Sequence, residues 1–352
     1  MMMKLRFVLS GLIFCVHAHA ATVVDVYGVS PEVSKILVQK YGKRVADIMV
    51  PLNEQVKKMP FGVPFPKELE HLAEQREAII EEIKKKEGLI FVNLEEVLYT
   101  DEPNHYVTMD VVTSGHQERL RFIHPATPEK TYPKTNDIID KMSEYTHLVF
   151  QRIISNKVPQ EMKCPVYHCL LGFDDRELKP YLALFNTAAV KQRKLIIDTL
   201  NHDENPARRA SAAFLVGHFK DPKDIVAVTL PHVNDPDETV RNNVIRVIAS
   251  TLSTSKIKTV DGTPFLELLD SPSITDRNKS LYVLDSIAES KAGKKLLIQQ
   301  GAERLMANYQ LKQPNNHEPA YRILKTLSGR DFGEHNAPAW QAWFKLAQSA
   351  KG

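Results

Sequence analysis

Asp203 to Val216 reads DENPARRASAAFLV, and Asp235 to Ile248 reads DPDETVRNNVIRVI. Each segment opens on an acidic turn and places an arginine, Arg209 or Arg241, six residues after the first Asp. A third segment from Ser273, SITDRNKSLYVLDSIA, carries Arg277, so the arginines recur at intervals of 32 and 36 residues. In each copy the apolar residues fall at helical spacing: Ala212, Leu215, Val216 and Phe219; Val244, Val247 and Ile248; Val283, Leu284 and Ile287. A single helix pair leaves such a stripe open to water, whereas a neighbouring pair buries it. The three arginines are then placed to form a ladder with acidic turn residues of adjacent copies.

Outward from these copies, helical stretches alternate with short Asp, Asn, Pro and Gly turns from about residue 170 to the end. DDRELKPYLALFNTAAVKQRKLIIDTL reads as an earlier, more divergent pair. The chain closes on LSGRDFGEHNAPAWQAWFKLA, in which Trp340, Trp343 and Phe344 stand at i, i+3 and i+4 and suit a cap on the open end of a stack. A sugar-binding aromatic platform is the alternative use of the two tryptophans. The period and the Asp turns, with Val240-Arg241 in the second copy, resemble the HEAT repeat, the two-helix unit of α-solenoids whose second helix commonly opens with an Asp turn and a Val-Arg pair.

Upstream the pattern changes. TVVDVYG ends at Gly28 and reads as a strand, and Ser30-Pro31 then opens a helix. Pro51 to Pro66 holds four prolines and is expected to break regular structure, after which Leu69, Leu72, Ile79, Ile80 and Ile83 mark a second helix. LIFVNLEEVLYT and HYVTMDVVTS, joined at Asp101 to Asn104, form a hairpin signal. This β-α-α-β-β order resembles the POTRA modules of the bacterial envelope, and that resemblance implies a module that binds extended peptides along a sheet edge. A generic small α+β domain packed on the rest of the chain is the other reading.

The expected fold class is therefore an α+β module followed by an all-α HEAT-like solenoid, predominantly α overall. The expected boundaries are a signal peptide over 1–20, the module over 21–124, a linker with a connecting helix over 125–169, and the solenoid over 170–352. Pro125, Pro128 and Pro133 mark the linker, and the connecting helix is expected from about Asn136 to Ser155.

Met1 to Ala20 has Lys4 and Arg6 before an apolar run, with Ala18 and Ala20 before Ala21: a secretory signal, cleaved after Ala20. The apolar run is too short to span a bilayer, and Phe14 before Cys15 argues against a lipid anchor. The expected address is the periplasm or the exterior, with no transmembrane segment after cleavage. The whole chain of 352 residues carries Lys+Arg 46 against Asp+Glu 43, and cleavage leaves 44 against 43. Its 43% hydrophobic content excludes a disordered chain, and without a basic run nucleic acid is not an expected partner.

In an oxidising compartment Cys164 and Cys169 suggest a disulfide, provided Pro165 holds the stretch in a turn, because cysteines five apart on a helix diverge. Cys164, His168, Cys169 and Asp174 form the alternative, a metal- or thiol-dependent enzyme centre, although no further ligand pair stands at a familiar metal spacing. HExxH, GxSxG, a phosphate-binding GxxxxGK[ST] and a Rossmann glycine triplet are all missing from the sequence, so neither catalysis nor a cofactor is expected.

The expected function is that of an exported scaffold binding a protein or peptide partner in the cell envelope. One row, carried across the aligned copies, supplies the expected contact surface: Ser211, Phe214 and His218; Asn243, Arg246 and Ser250; Lys279, Tyr282 and Ser286. These lie beside the apolar stripe, and stacking would align them into a ridge on the second helices, the concave side in HEAT-like proteins. An ordinary solvated face is the alternative.

Overall fold

A computed structural model describes residues 21–56, 58–59, 66–97, 104–124, 132–155, 157, 163–257 and 259–349. The expected signal peptide, most of the expected linker and the tip of the hairpin lie outside the described residues. The described chain is predominantly helical, with one small mixed sheet.

The sheet comes from the first part of the chain: β1 (Thr22–Tyr27), α1 (Pro31–Val56), α2 (Lys67–Glu87), β2 (Leu89–Val97) and β3 (His105–Thr113). β3 is central, parallel to β1 and antiparallel to β2. Gly28 ends β1 at φ +105, and a Cβ there would sit 2.1 Å from the Val111 carbonyl oxygen, so only glycine fits the turn. α1 runs through Pro51 to Val56, past the break expected there. Pro51 lies on the exposed face, where water can meet the carbonyl its ring leaves unbonded. Leu52 is buried in that last turn, and the Asn53 amide donates to Glu96 of β2 at 2.7 Å.

Strand alternation sorts the sheet's two faces. Val24 and Val26 of β1 and Val107, Met109 and Val111 of β3 join Leu37, Tyr41, Val45, Ile79 and Ile83 of the two helices in one apolar core. The intervening residues, Asp25 and Tyr27 of β1 with Thr108 and Asp110 of β3, are also buried, although two are aspartates, one carries a hydroxyl and one a phenol. They face the helices that make up the rest of the chain.

Those helices are α3 (Ile138–Ile154), α4 (Lys179–Lys191), α5 (Arg193–His202), α6 (Pro206–Val216), α7 (Pro222–Thr229), α8 (Glu238–Thr254), α9 (Thr263–Glu267), α10 (Ile274–Ile287), α11 (Lys291–Gln300), α12 (Ala302–Tyr309), α13 (Pro314–Ser328) and α14 (Ala337–Ser349). α6, α8, α10 and α13 form a row in which each packs on the next, and α5, α7, α9 and α12 each pack against the row member that follows them. Side-chain oxygens cap several of these helices: Asn205 accepts from the Ala207 amide, Asp221 from Lys223 and Asp237 from Val240. The stripe residues Leu215, Val216, Val244, Val247, Ile248, Val283 and Leu284 are fully buried in a second apolar core. α3 contributes Ile139, Met142, Tyr145 and Val149 to that same core, so the helix expected to connect two domains is part of the helical body. At the other end Trp340 and Phe344 are buried, and the Trp340 indole donates to the Gly333 carbonyl at 2.9 Å. This is packing against α12 and α13 and leaves no open aromatic platform at Trp340.

The arginines do form a ladder. Arg209 pairs with Asp235 at 2.8 Å and Arg241 with Asp276 at 2.9 Å, each carboxylate belonging to the next copy. Each arginine also donates to a carbonyl six residues upstream: Arg209 to Asp203, Arg241 to Asp235 and Arg277 to Ser271. The third rung differs. Arg277 turns out of the row and meets Asp110 of β3 at 2.7 Å, with both side chains fully buried and the guanidinium 3.9 Å from the centre of the Tyr27 ring. Around this pair Tyr27 donates to the Leu269 carbonyl, Arg119 donates to Asp270, Gly28 and Val111 carbonyls, and Asp25 accepts the Lys312 and Gln313 amides at 2.7 and 3.0 Å. Two apolar cores thus meet across a buried polar seam. Burial pushes the Asp110 carboxyl upward, and the facing guanidinium pulls it back.

Removing one partner of a buried ion pair strands the other charge. Arg277→Met should therefore lower unfolding stability by about 3–5 kcal/mol, and adding Asp110→Leu should recover a large part of that loss. Denaturant titrations of the three proteins check this; a double variant no more stable than the single one would show that the pair is not what joins the halves.

Candidate functional site

Between α3 and α4 the chain folds back over α6. Cys164 and Cys169 are bridged, with Cα atoms 5.7 Å apart, and the backbone bends through Pro165 to Tyr167 in place of a helical turn. This is the geometry the spacing demands. The ring it closes is short and contributes about 2 kcal/mol through restricted unfolded chain. The Tyr167 amide donates to the Gly217 carbonyl at 3.1 Å. A Cβ on Gly217 would lie 2.9 Å from the His168 Cβ, so the glycine at the end of α6 lets the loop sit this close.

The loop changes the status of the expected contact row. His168 stacks on Phe214 with ring centres 5.0 Å apart, and His218 turns its Nδ1 to Asn186 at 2.9 Å while its ring meets Phe173 and Phe185. Ser211, Phe214 and His218 are consequently buried under an upstream segment and do not belong to an open ridge. Asn243 is buried as well, and its amide donates to the Ala210 carbonyl to tie α8 to α6. The remainder of the row, Arg246, Ser250, Lys279, Tyr282 and Ser286, does converge. With His168, Cys169 and Leu170 of the loop it lines a cleft of about 380 Å³ between α8, α10 and the loop.

The cleft is bordered by two cations, Arg246 and Lys279, and by one carboxylate, Asp285. Among the described residues Arg246 has no carboxylate partner, and burial alone pushes its guanidinium downward. Lys279 is pushed down to about 7, first by burial and then by Arg246. Among the described residues its ammonium donates to the Asn278 side chain beside it. Asp285 also borders the cleft, but it accepts from Arg322 of α13 at 3.0 Å. His168 is held down at about 3, by burial first and then by Arg246, His218 and Lys279, and its Nδ1 meets Ser250 Oγ at 3.0 Å. The contrast with the ladder is direct: Arg209, Arg241 and Arg277 each have a carboxylate, whereas the two cations of the cleft have none among the described residues.

The alternative centre does not assemble. Cys164 and Cys169 are bonded to each other, Asp174 is exposed, and His168 faces Ser250. Among the described residues no group of three or more His, Cys, Asp or Glu is placed to hold a metal ion. Nor is any described helix long and apolar enough to cross a membrane. The sequence pointed to Arg246, Lys279 and Tyr282 but placed His168 only in the alternative metal- or thiol-dependent centre. The signal for its real place was the pair of cysteines bracketing it together with Gly217, which admits it against α6. No protein-family model matches the chain, and neither a curated protein nor a solved structure matches it.

His168 and His218, held down at about 3 and about 4, stay neutral in the folded protein well below the ordinary histidine range. From about pH 6.5 downward the unfolded chain takes up protons there that the folded chain refuses, so stability present above pH 6.5 drains away toward pH 4. A His168→Gln variant should lose less melting temperature between pH 7 and pH 4 than the parent, whatever its starting value. Parallel slopes in the two proteins would mean that His168 is protonated in the folded state.

Proposed function

We propose that this chain is an exported scaffold of the cell envelope whose helix pairs stack as a HEAT-like solenoid, with a POTRA-like module docked on one side. It binds a protein or peptide partner, and the contact centres on the cleft of Arg246, Lys279 and Tyr282. The observation that carries this reading is the pair of half-buried cations that have no carboxylate of their own among the described residues. A folded chain does not gain stability by desolvating unpaired positive charge, and a partner carrying the opposite charge recovers that cost on binding. Tyr282, 40% exposed at the mouth, adds an aromatic of the type that dominates interface energetics. The arginine ladder and the row of paired helices support the solenoid, and the apolar start of the chain supports export. The bridged cysteines agree with an oxidising compartment.

The experiment is a photo-crosslinking residue at Tyr282 of the full chain in living cells. A discrete adduct is expected, and charge reversal at Arg246→Glu with Lys279→Glu should abolish it while the secreted, folded protein persists. An adduct that survives charge reversal would place the partner elsewhere, and no adduct from this position would remove the cleft from the function.

A further inference from the structure

Glu95 of β2 lies on the seam face of the sheet, opposite Thr108 and two positions along from the Asn93–Asp110 pair. Strand alternation thus brings two carboxyl groups, Glu95 and Asp110, to neighbouring places on the face that meets the helices. Arg277 of α10 is taken by Asp110, and Arg119 donates to carbonyl groups. From the helical side α8 adds a third carboxyl, Glu238, which accepts from the Ser273 and Thr275 hydroxyls at the start of α10. Asp276 of α10 is paired with Arg241. Behind the strand, Arg76 of α2 pairs with Glu77 and donates to Asn93 Oδ1 and the Leu94 carbonyl. Glu95 Oε1 accepts from the Asn93 amide group at 3.1 Å, and Oε2 is sealed from water.

Carboxyl groups gathered at one buried place do not all ionise, and the one furthest from a cation keeps its proton. Protonated, Glu95 adds no charge to a seam in which Arg277 and Asp110 already balance. Ionised, it sets a second negative charge beside Asp110 against the same guanidinium. From this cluster at the interface we infer that the joint between sheet and helices is a proton-controlled latch: the halves close with Glu95 carrying a proton, and its ionisation loosens them. The latch is independent of the cleft and of any partner. In the closed joint the Glu95 carboxyl is pushed up to about 7, by burial first and then by Asp110 and Glu238, while Arg277 and, after it, the Ile274 amide pull it back. In the unfolded chain the same carboxyl returns to its ordinary value of 4.5. Between these two values the closed joint holds a proton that the open chain releases, so closure is strongest at the acid end. It weakens as pH rises through the window and levels off above it, opposite in sign to the effect of His168 and His218.

The full oxidised chain and its Glu95→Gln variant are unfolded in denaturant at a series of pH values from about 4.5 to about 8. The ratio of their unfolding equilibrium constants should shift in favour of the variant as pH rises, by on the order of a hundredfold across the series, and then level off. Both proteins keep His168 and His218, so histidine titration cancels in the ratio, and any fixed cost of the amide displaces it equally at every pH. A ratio that does not change with pH, or one that favours the variant as pH falls, would overturn the latch. A second measurement needs no Glu95 variant. In the wild-type chain, isotopically labelled at the glutamate side-chain carboxyl carbons, one resonance should titrate with a midpoint near 7. Glu238→Gln should lower that midpoint, because a carboxyl facing Glu95 from the helical half is then gone. If every glutamate of the folded chain titrates in the ordinary range, or if the midpoint stays where it is in Glu238→Gln, Glu95 does not report the closure of the joint and the inference fails.

Discussion

The ion pair between Arg277 and Asp110, sealed against the Tyr27 ring, governs how the two halves of this protein meet. Two charges with no access to water tolerate little displacement, since any separation leaves each in a medium that solvates it poorly. The pair therefore sets the angle and register at which the sheet approaches α10. The lesser contacts of the seam, from Asp25 to the Lys312 and Gln313 amides and from Arg119 to the Asp270 carbonyl, are made in that register. Apolar burial holds each half together, while polar matching of Asp110 with Arg277 and of Asp25 with the Lys312 and Gln313 amides specifies the joint.

The same helices carry both the joint and the cleft. Arg241 and Arg246 leave α8 from different sides: Arg241 is buried against Asp276, and Arg246 opens toward His168, Lys279 and Tyr282. On α10, Arg277 faces the sheet and Lys279 faces the cleft. A partner that engages Lys279 thus touches a helix whose first turn is anchored in β3. Paired charge lies at the joint, and the cations without a carboxylate among the described residues lie at the cleft.

Much of this was legible in the chain, because its causes are local. The Asp turns and the arginines six residues beyond them were visible as a period, and their carbonyl contacts depend only on that short spacing. The hairpin of β2 and β3 and the burial of Trp340 follow from alternation and helical spacing in the same way. What could not be read depends on distant chain. Asp110 is remote in sequence from Arg277, and nothing in either neighbourhood distinguishes the diverted rung from the two regular ones. Phe214 and His218 looked like a ridge on α6 because the segment that covers them arrives from upstream of α4. α1 continued past Pro51 because exposure of that turn made the lost hydrogen bond cheap, a circumstance that composition does not reveal.

If the buried pair makes sheet and helices one body, they must unfold together. Native-state hydrogen exchange of the amides in β3 and α10, followed against denaturant, measures this directly. Amides at Val107 to Val111 and at Leu281 to Leu284 should exchange through one opening, with the same free energy and the same denaturant dependence. If the β3 amides open at lower denaturant while those of α10 stay protected, the sheet is an independent unit resting on the helices, and the seam does not have the role given to it.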